Sequence, residues 1–331
     1  MNKLLGFALL ALASTVNAFE IRPIGLNGGA YNARANGETI RYLDDKYASR
    51  CTKAWYLHNL DTEPVHEIIT RIAYPSVYGA NGKLRTQTWR SPLLAGVEWN
   101  DDPEQLLRRA VYYDGKKNIQ KFWENEGDAS RPNTLTRRTH HGDLQFLHAM
   151  REGSQTSDEA KARLLRWLKF TYEIAIGNVP PNEIRKTSPY HEFFGRVGCS
   201  KNPQLPNPSD CTVMDVLDIH RLHRDGDLKA NLQQLATGAI AHVIQDSYSS
   251  SHTQREAGGL GRLVQFYTYD EKNRETHCES DGMYKKNEPN IEMAIAQTAN
   301  LLWHIKTKKT WEQAEPFFNS VFAFQPLPGT K

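Results

Sequence analysis

Three long stretches of this chain place their apolar residues at the 3.6-residue spacing of a helix, and that periodicity restricts the fold more than any other feature. From Glu159 to Ile176, the residues Leu164, Leu165, Leu168, Tyr172 and Ile176 share one face. From Asp227 to Ser247 the face is Leu228, Leu232, Leu235, Ala239, His242 and Asp246, and a third run spans Ile291 to Lys306. Stripes of this width must be covered by other helices. Val65–Tyr74 and Gln105–Tyr113 read as shorter helices, and strand-like alternation is best at Arg262–Tyr269. No repeat at a fixed period is visible. The expectation is an all-α fold: a single multi-helical domain with long loops, the largest from about Gly177 to Asp210.

Composition closes off other classes. Of 331 residues, 39% are hydrophobic and 24% charged, with 22 Gly and 16 Pro, which leaves no support for a collagen-like or disordered tract. The 41 basic and 38 acidic residues give a net charge of +3. Without a basic stripe, no dedicated nucleic-acid partner is expected.

The N-terminus carries Lys3, an apolar run from Leu4 to Ala13, and Val16-Asn17-Ala18 before Phe19. Residues 1–18 read as a secretory signal peptide, leaving 19–331 as the mature domain. The run is too short to span about 30 Å of hydrocarbon, and no later segment approaches 18 uninterrupted apolar residues, so no transmembrane segment is expected. The product is expected to be secreted, extracellular or periplasmic. An oxidising compartment makes disulfide candidates of the four cysteines. Cys199 and Cys211, which flank a loop holding Pro203, Pro206 and Pro208, are one candidate pair, with Cys51 and Cys278 then the second; four cysteines allow three connectivities.

The chain has twelve histidines, and their neighbours carry the chemistry. His242, Asp246 and His252 form a His-x3-Asp-x5-His string. On a helix the first two share a face and can reach one ion, while His252 falls just past the helix end and can turn toward another. Imidazole with carboxylate suits zinc, and a carboxylate can bridge two metals. Three further fragments have similar composition: Glu98-Trp99-Asn100-Asp101-Asp102, Thr139-His140-His141-Gly142-Asp143 and His277-Cys278-Glu279-Ser280-Asp281. His66-Glu67 opens like a zinc-protease motif, but position 70 is Thr, so the second imidazole is missing. The nucleophile elbow of serine hydrolases and the phosphate-cradling loop of nucleotidases are absent.

In their order, these fragments resemble the zinc-dependent phospholipases C and their relatives, the fungal single-strand-specific zinc nucleases. The central string matches that family's His-x3-Asp-x5-His in full. Gly96 to Asp101 fits its Gly-x-x-aromatic-x-Asp, and His140 with Asp143 fits its His-x-x-Asp, with His141 competing for the same place. Val65-His66-Glu67-Ile68-Ile69 is similar to its early ligand helix, and His277 with Asp281 has the spacing of its downstream pair. The resemblance spans roughly residues 65 to 281. It implies an all-helical domain with zinc ions in a cleft, cleaving phosphate esters.

By the same resemblance the metal ligands are His66, Asp101, His140, His242, Asp246, His252, His277 and Asp281, with Asp246 bridging. Family members commonly begin with a Trp that ligates a metal beside the early histidine; here the expected terminus is Phe19, so two or three zinc ions per chain are expected. Either further processing exposes a new terminus near Trp55, or His58, Glu63 or water replaces those contacts, or the metal beside His66 binds weakly. Asp101 and Asp246 are the catalytic candidates: water between the metals attacks phosphorus, with Asp101 a ligand or the group that orients the water. The implied substrate is a phospholipid at a membrane surface, of the phosphatidylcholine type. The alternatives are a single-strand nuclease, in which Trp123, Tyr190 or Phe193 would stack bases, and a secreted zinc-stabilised binding protein without catalysis.

Overall fold

The computed structural model describes residues 65–79, 84, 91–106, 121, 124–125, 129–130, 132–183, 191–194, 212–217, 227–256, 260–271 and 289–325. Within them the chain is mostly helical. In order, the elements are α1 (Val65–Tyr78), α2 (Pro92–Trp99), α3 (Leu135–His141), a 3-10 turn (Gln145–His148), α4 (Ser157–Ala175), α5 (His191–Phe194) and α6 (Val213–Val216). There follow α7 (Leu228–Asp246), β1 (Thr253–Arg255), β2 (Leu263–Phe266), a second 3-10 turn (Tyr269–Glu271), α8 (Pro289–Lys306) and α9 (Trp311–Val321). The two strands pair antiparallel, Thr253 opposite Phe266, with a bulge between Gln254 and Arg255. Among the described residues, no helix is long and apolar enough to cross a membrane.

The centre of the fold is α7. Asp227 caps it, its carboxylate accepting from the Lys229 and Ala230 N–H groups at 2.9 and 3.2 Å. Every residue from Leu235 to Asp246 is buried, so the second half of the helix is enclosed on all sides. It packs on α2, α4, α8 and α1 and touches the Gln145–His148 turn. Polar side chains on that half can only face other protein groups, or an ion held among them.

The closest packing is between α7 and α2, and glycine makes it possible. A Cβ on Gly238 would collide with the Leu93 carbonyl and the Val97 N, and one on Gly96 would run into the Leu235 carbonyl. The two backbones approach closely, which brings the end of α2 alongside the turn of α7 that bears His242. Helix α2 has no polar face: Pro92, Leu93, Leu94, Ala95, Gly96, Val97 and Trp99 are all buried. Its start is set by Ser91, which accepts from the Leu94 N–H, and by Pro92, whose missing N–H costs nothing there. Under its far end, Trp99 stacks at 6.2 Å on Trp167, which meets Phe194 edge-on at 5.4 Å.

The long helices fall close to the periodic stretches. The run from Glu159 becomes Ser157–Ala175, opened by a Thr156–Glu159 capping box and closed at Gly177, where φ is +89°. Helix α1 continues four residues past the expected Tyr74, through Pro75, and stops at Gly79 with φ +84°. The strand is shorter than expected, because Tyr269 turns into a 3-10 helix. The helix expected from Gln105 starts one residue later, at Leu106: Gln105 has φ +55°, and Asp102 accepts from the Leu106 N–H at 2.6 Å. The rest of that expected helix lies outside the described residues, as do the signal peptide, the four cysteines and most of the large loop.

Candidate metal centre

Five elements, or the residues just past their ends, deliver histidine or aspartate to one place. His242 and Asp246 stand on successive turns of α7, with Nε2 of the first 2.9 Å from Oδ2 of the second. His66, in the first turn of α1, places its Nε2 3.1 Å from the other carboxylate oxygen, Oδ1. The rings of His66 and His242 lie 4.0 Å apart. Asp101 follows α2 and is fixed through its neighbour: the Asn100 amide donates to the Leu147 carbonyl at 2.6 Å and to the Ala239 carbonyl at 3.3 Å. Asp101 Oδ1 then lies 3.8 Å from His242 Nε2 and 3.7 Å from His148 Nδ1.

His148 ends the first 3-10 turn, which is broken by Ala149 at φ +50°. Its Nδ1 is 3.1 Å from both Asp246 Oδ2 and His242 Nε2. His252, beyond the end of α7, has its Nδ1 3.7 Å from Asp246 Oδ2. His140, in the last turn of α3, has its ring 5.0 Å from that of His148. Together they form three overlapping groups able to hold an ion: His66 with Asp101 and His242, Asp101 with His140 and His148, and His148 with Asp246 and His252. Asp101 and His148 each belong to two of them.

Ring orientation is set by what the Nδ1 atoms touch. His242 Nδ1 donates to the Val97 carbonyl at 2.7 Å, in the last turn of α2, where carbonyls have no partner in their own helix. His252 Nδ1 donates to the His148 carbonyl at 2.7 Å, and His140 Nδ1 to the Thr136 carbonyl at 2.7 Å. His66 Nδ1 rests instead on the side chain of Gln245, at 2.9 Å. A neutral imidazole that donates from Nδ1 offers a lone pair at Nε2. For His66 and His242 that lone pair faces a carboxylate oxygen about 3 Å away, and two acceptors this close need a proton or a cation between them. Tetrahedral zinc with bonds of about 2.0–2.1 Å sets its ligand atoms roughly 3.3 Å apart, so separations of 2.9–3.8 Å fit a metal shell.

Electrostatics favour the anionic form of Asp246. Burial alone would push its carboxyl up, but His242, His252 and His66 hold it well below the usual carboxylate range, helped by the hydrogen bond from His148. Glu67 goes the other way. Fully buried beside His66, it is pushed well above the usual range by burial and by its carboxylate neighbours Glu98 and Asp101. Asp246 is thus the sealed carboxylate of the cluster. Asp101 stands at the rim: its side chain is 45% exposed, against 1% for Asp246.

The structure brings together six of the expected residues: His66, Asp101, His140, His242, Asp246 and His252. His277 and Asp281 lie outside the described residues, as do Trp55, His58 and Glu63. Between the adjacent histidines it separates roles, since His141 turns to Asp270, 2.9 Å away, while His140 faces the cluster. Asp143, the other end of the His-x-x-Asp spacing, belongs to none of these ion groups. Asp143 instead forms a bidentate pair with Arg138 at 2.7 and 2.9 Å. Burial works against that carboxylate, but Arg138 and Arg163 hold it below its ordinary value.

His148 was not legible as a candidate ligand. It sits in Phe146-Leu147-His148-Ala149-Met150, where a lone histidine among apolar residues reads as core. The available signal was position: it lies five residues past Asp143, just where a turn must end between α3 and α4. The chain matches no protein-family model, no curated protein and no solved structure.

Proposed function

We propose that this protein is a secreted zinc-dependent phosphodiesterase of the phospholipase C type, with the helical fold of that family and two or three zinc ions per chain. The observation that carries the reading is the arrangement around Asp246, whose two oxygens face two imidazole nitrogens, each on a ring that already donates from its other nitrogen. The donor set of imidazole and carboxylate, without thiolate, suits zinc in a hydrolytic role. Structural zinc is normally closed by four protein ligands, whereas these groups overlap and have a half-exposed member in Asp101. That favours catalysis over a zinc-stabilised binding protein.

Bound zinc supplies Lewis acidity toward a phosphoryl oxygen and brings the pKa of a coordinated water to about 7. His242, His66 and Asp246 hold the charge at the floor of the site and exclude solvent there. Asp101, at the rim, can accept a hydrogen bond from an attacking water at Oδ1 and orient it toward phosphorus. Asp246, sealed among imidazoles, has no such access. Phospholipid is the preferred substrate because the near-neutral chain lacks the basic stripe that a nucleic acid would require. Phe193, a candidate for base stacking, is 1% exposed and packs in the core on Trp167, which takes away one support for the nuclease reading. Secretion follows from residues 1–18 read as a signal peptide.

The test is hydrolysis by the purified protein of phosphatidylcholine vesicles and of single-stranded DNA, with and without a chelator, alongside zinc content per chain. Chelator-sensitive release of phosphocholine with at least two zinc ions is expected. DNA cleavage alone would replace the substrate with nucleic acid, and a chain without zinc would overturn the site.

A further inference from the structure

The ring of His66 is held by a side chain, and that side chain is itself held from two directions. The Gln245 amide nitrogen donates to Thr70 Oγ1 at 3.0 Å and to Thr298 Oγ1 at 3.2 Å. Thr70 Oγ1 in turn donates to the His66 carbonyl at 2.9 Å, so its oxygen accepts from Gln245 and the amide has one orientation. The amide oxygen therefore faces His66, and His66 Nδ1 must carry the proton. This fixes the tautomer that presents Nε2 to Asp246. Gln245 is 3% exposed and stands on α7 between His242 and Asp246, while Thr70 lies on α1 and Thr298 on α8. Three helices meet in one amide.

From this geometry we infer that Gln245 is a positioning residue for the metal site at His66: it sets the ring's tautomer and angle through Nδ1 and so tunes the affinity of the ion shared by His66 and Asp246. The inference rests on the metal reading above. A glutamine supplies the acceptor without placing a second carboxylate against the His66 ring, whose other nitrogen already faces Asp246. Outer partners of ligand histidines commonly change metal affinity by about 10–100-fold when removed. Because Val97, Thr136 and His148 serve the rings of His242, His140 and His252 through backbone carbonyls, a change at Gln245 should weaken one ion selectively.

The experiment is zinc competition against a chromophoric chelator with the full mature chain, comparing wild type, Gln245→Ala and Gln245→Glu, with the fold of each apo protein checked by circular dichroism. In Gln245→Ala one zinc is expected to bind about 10–100-fold more weakly while the remaining zinc keeps its affinity. Gln245→Glu restores an acceptor for Nδ1–H and is expected to recover most of the loss. Wild-type affinity for every zinc in the alanine variant would overturn the inference and leave the metal site standing. So would a glutamate variant as weak as alanine, since packing rather than the hydrogen bond would then be responsible. A wild-type chain that binds no zinc would instead overturn the metal reading itself. If the alanine variant does not fold, Thr298→Ala carries the test: weaker binding of one zinc supports the role of Gln245, and unchanged binding overturns it.

Discussion

His242 Nε2 lies 2.9 Å from Asp246 Oδ2, one turn further along the same buried helix. Neither side chain has solvent to turn to, since they are 0% and 1% exposed. Replacing His242 with Ala or Asp246 with Asn is expected to release zinc and lower kcat/KM at least about a hundredfold, the upper scale already reached by losing a mere outer partner of a ligand. Zinc per chain and hydrolysis rate, measured together, check this. Retained zinc with full activity in either variant would remove the pair from the site.

The adjacent histidines of α3 should separate cleanly. His140 faces Asp101 and His148, whereas His141 pairs with the exposed Asp270. His140→Ala is expected to lose metal and most activity, and His141→Ala to stay within a few-fold of wild type. The comparison needs only steady-state rates and metal content, and equal losses in both would contradict the geometry.

Gly96 and Gly238 should tolerate no side chain. Each would drive a Cβ into the backbone of the facing helix, and backbone cannot rotate away as a flexible side chain can. Overpacking typically costs about 1–3 kcal/mol, and here the upper end or beyond is expected for Gly238→Ala. The shift in denaturant midpoint measures it. Since Val97 must also stay under His242, activity should fall even under conditions where the variant is folded.

A pH-dependent loss of stability is expected from His304 on α8. It is buried between Trp303 and Phe317, with an Nδ1 that has no hydrogen-bond partner. Burial, with some help from Lys309, pushes its pKa down to about 4. Between about pH 6.5 and 4 the unfolded chain then binds a proton that the folded chain refuses, so stability falls as pH drops through that window and levels off below it. After allowance for solvent screening the effect is about 1–2 kcal/mol. Urea melts at pH 7.5 and 4.5 should show a smaller difference in His304→Leu than in wild type.

What the sequence made legible was whatever repeats at the helical period. Helices α4, α8 and the first half of α7 announce themselves because one face is apolar and another is not. Helix α2 does not, because seven of its eight residues are buried and no polar face marks the period. Helix α9 carries Pro316 inside it, which reads as a breaker. In the site, His242 and Asp246 were visible because a helix alone sets their relation. His148 was not, because its place depends on a 3-10 turn and a left-handed Ala149, features that tertiary packing decides. The same holds for Asp143, whose pairing with Arg138 no spacing in the sequence marks.

The carbonyl oxygens of Val97, Thr136 and His148 belong to the main chain, and no substitution deletes them. Neighbouring residues can be exchanged freely so long as the backbone keeps its path, and three of the rings will still find their acceptors. Sequence drift therefore threatens the centre unevenly. Most of its orientation is inherited with the trace of the chain, and the part that a single codon can erase is concentrated at Gln245.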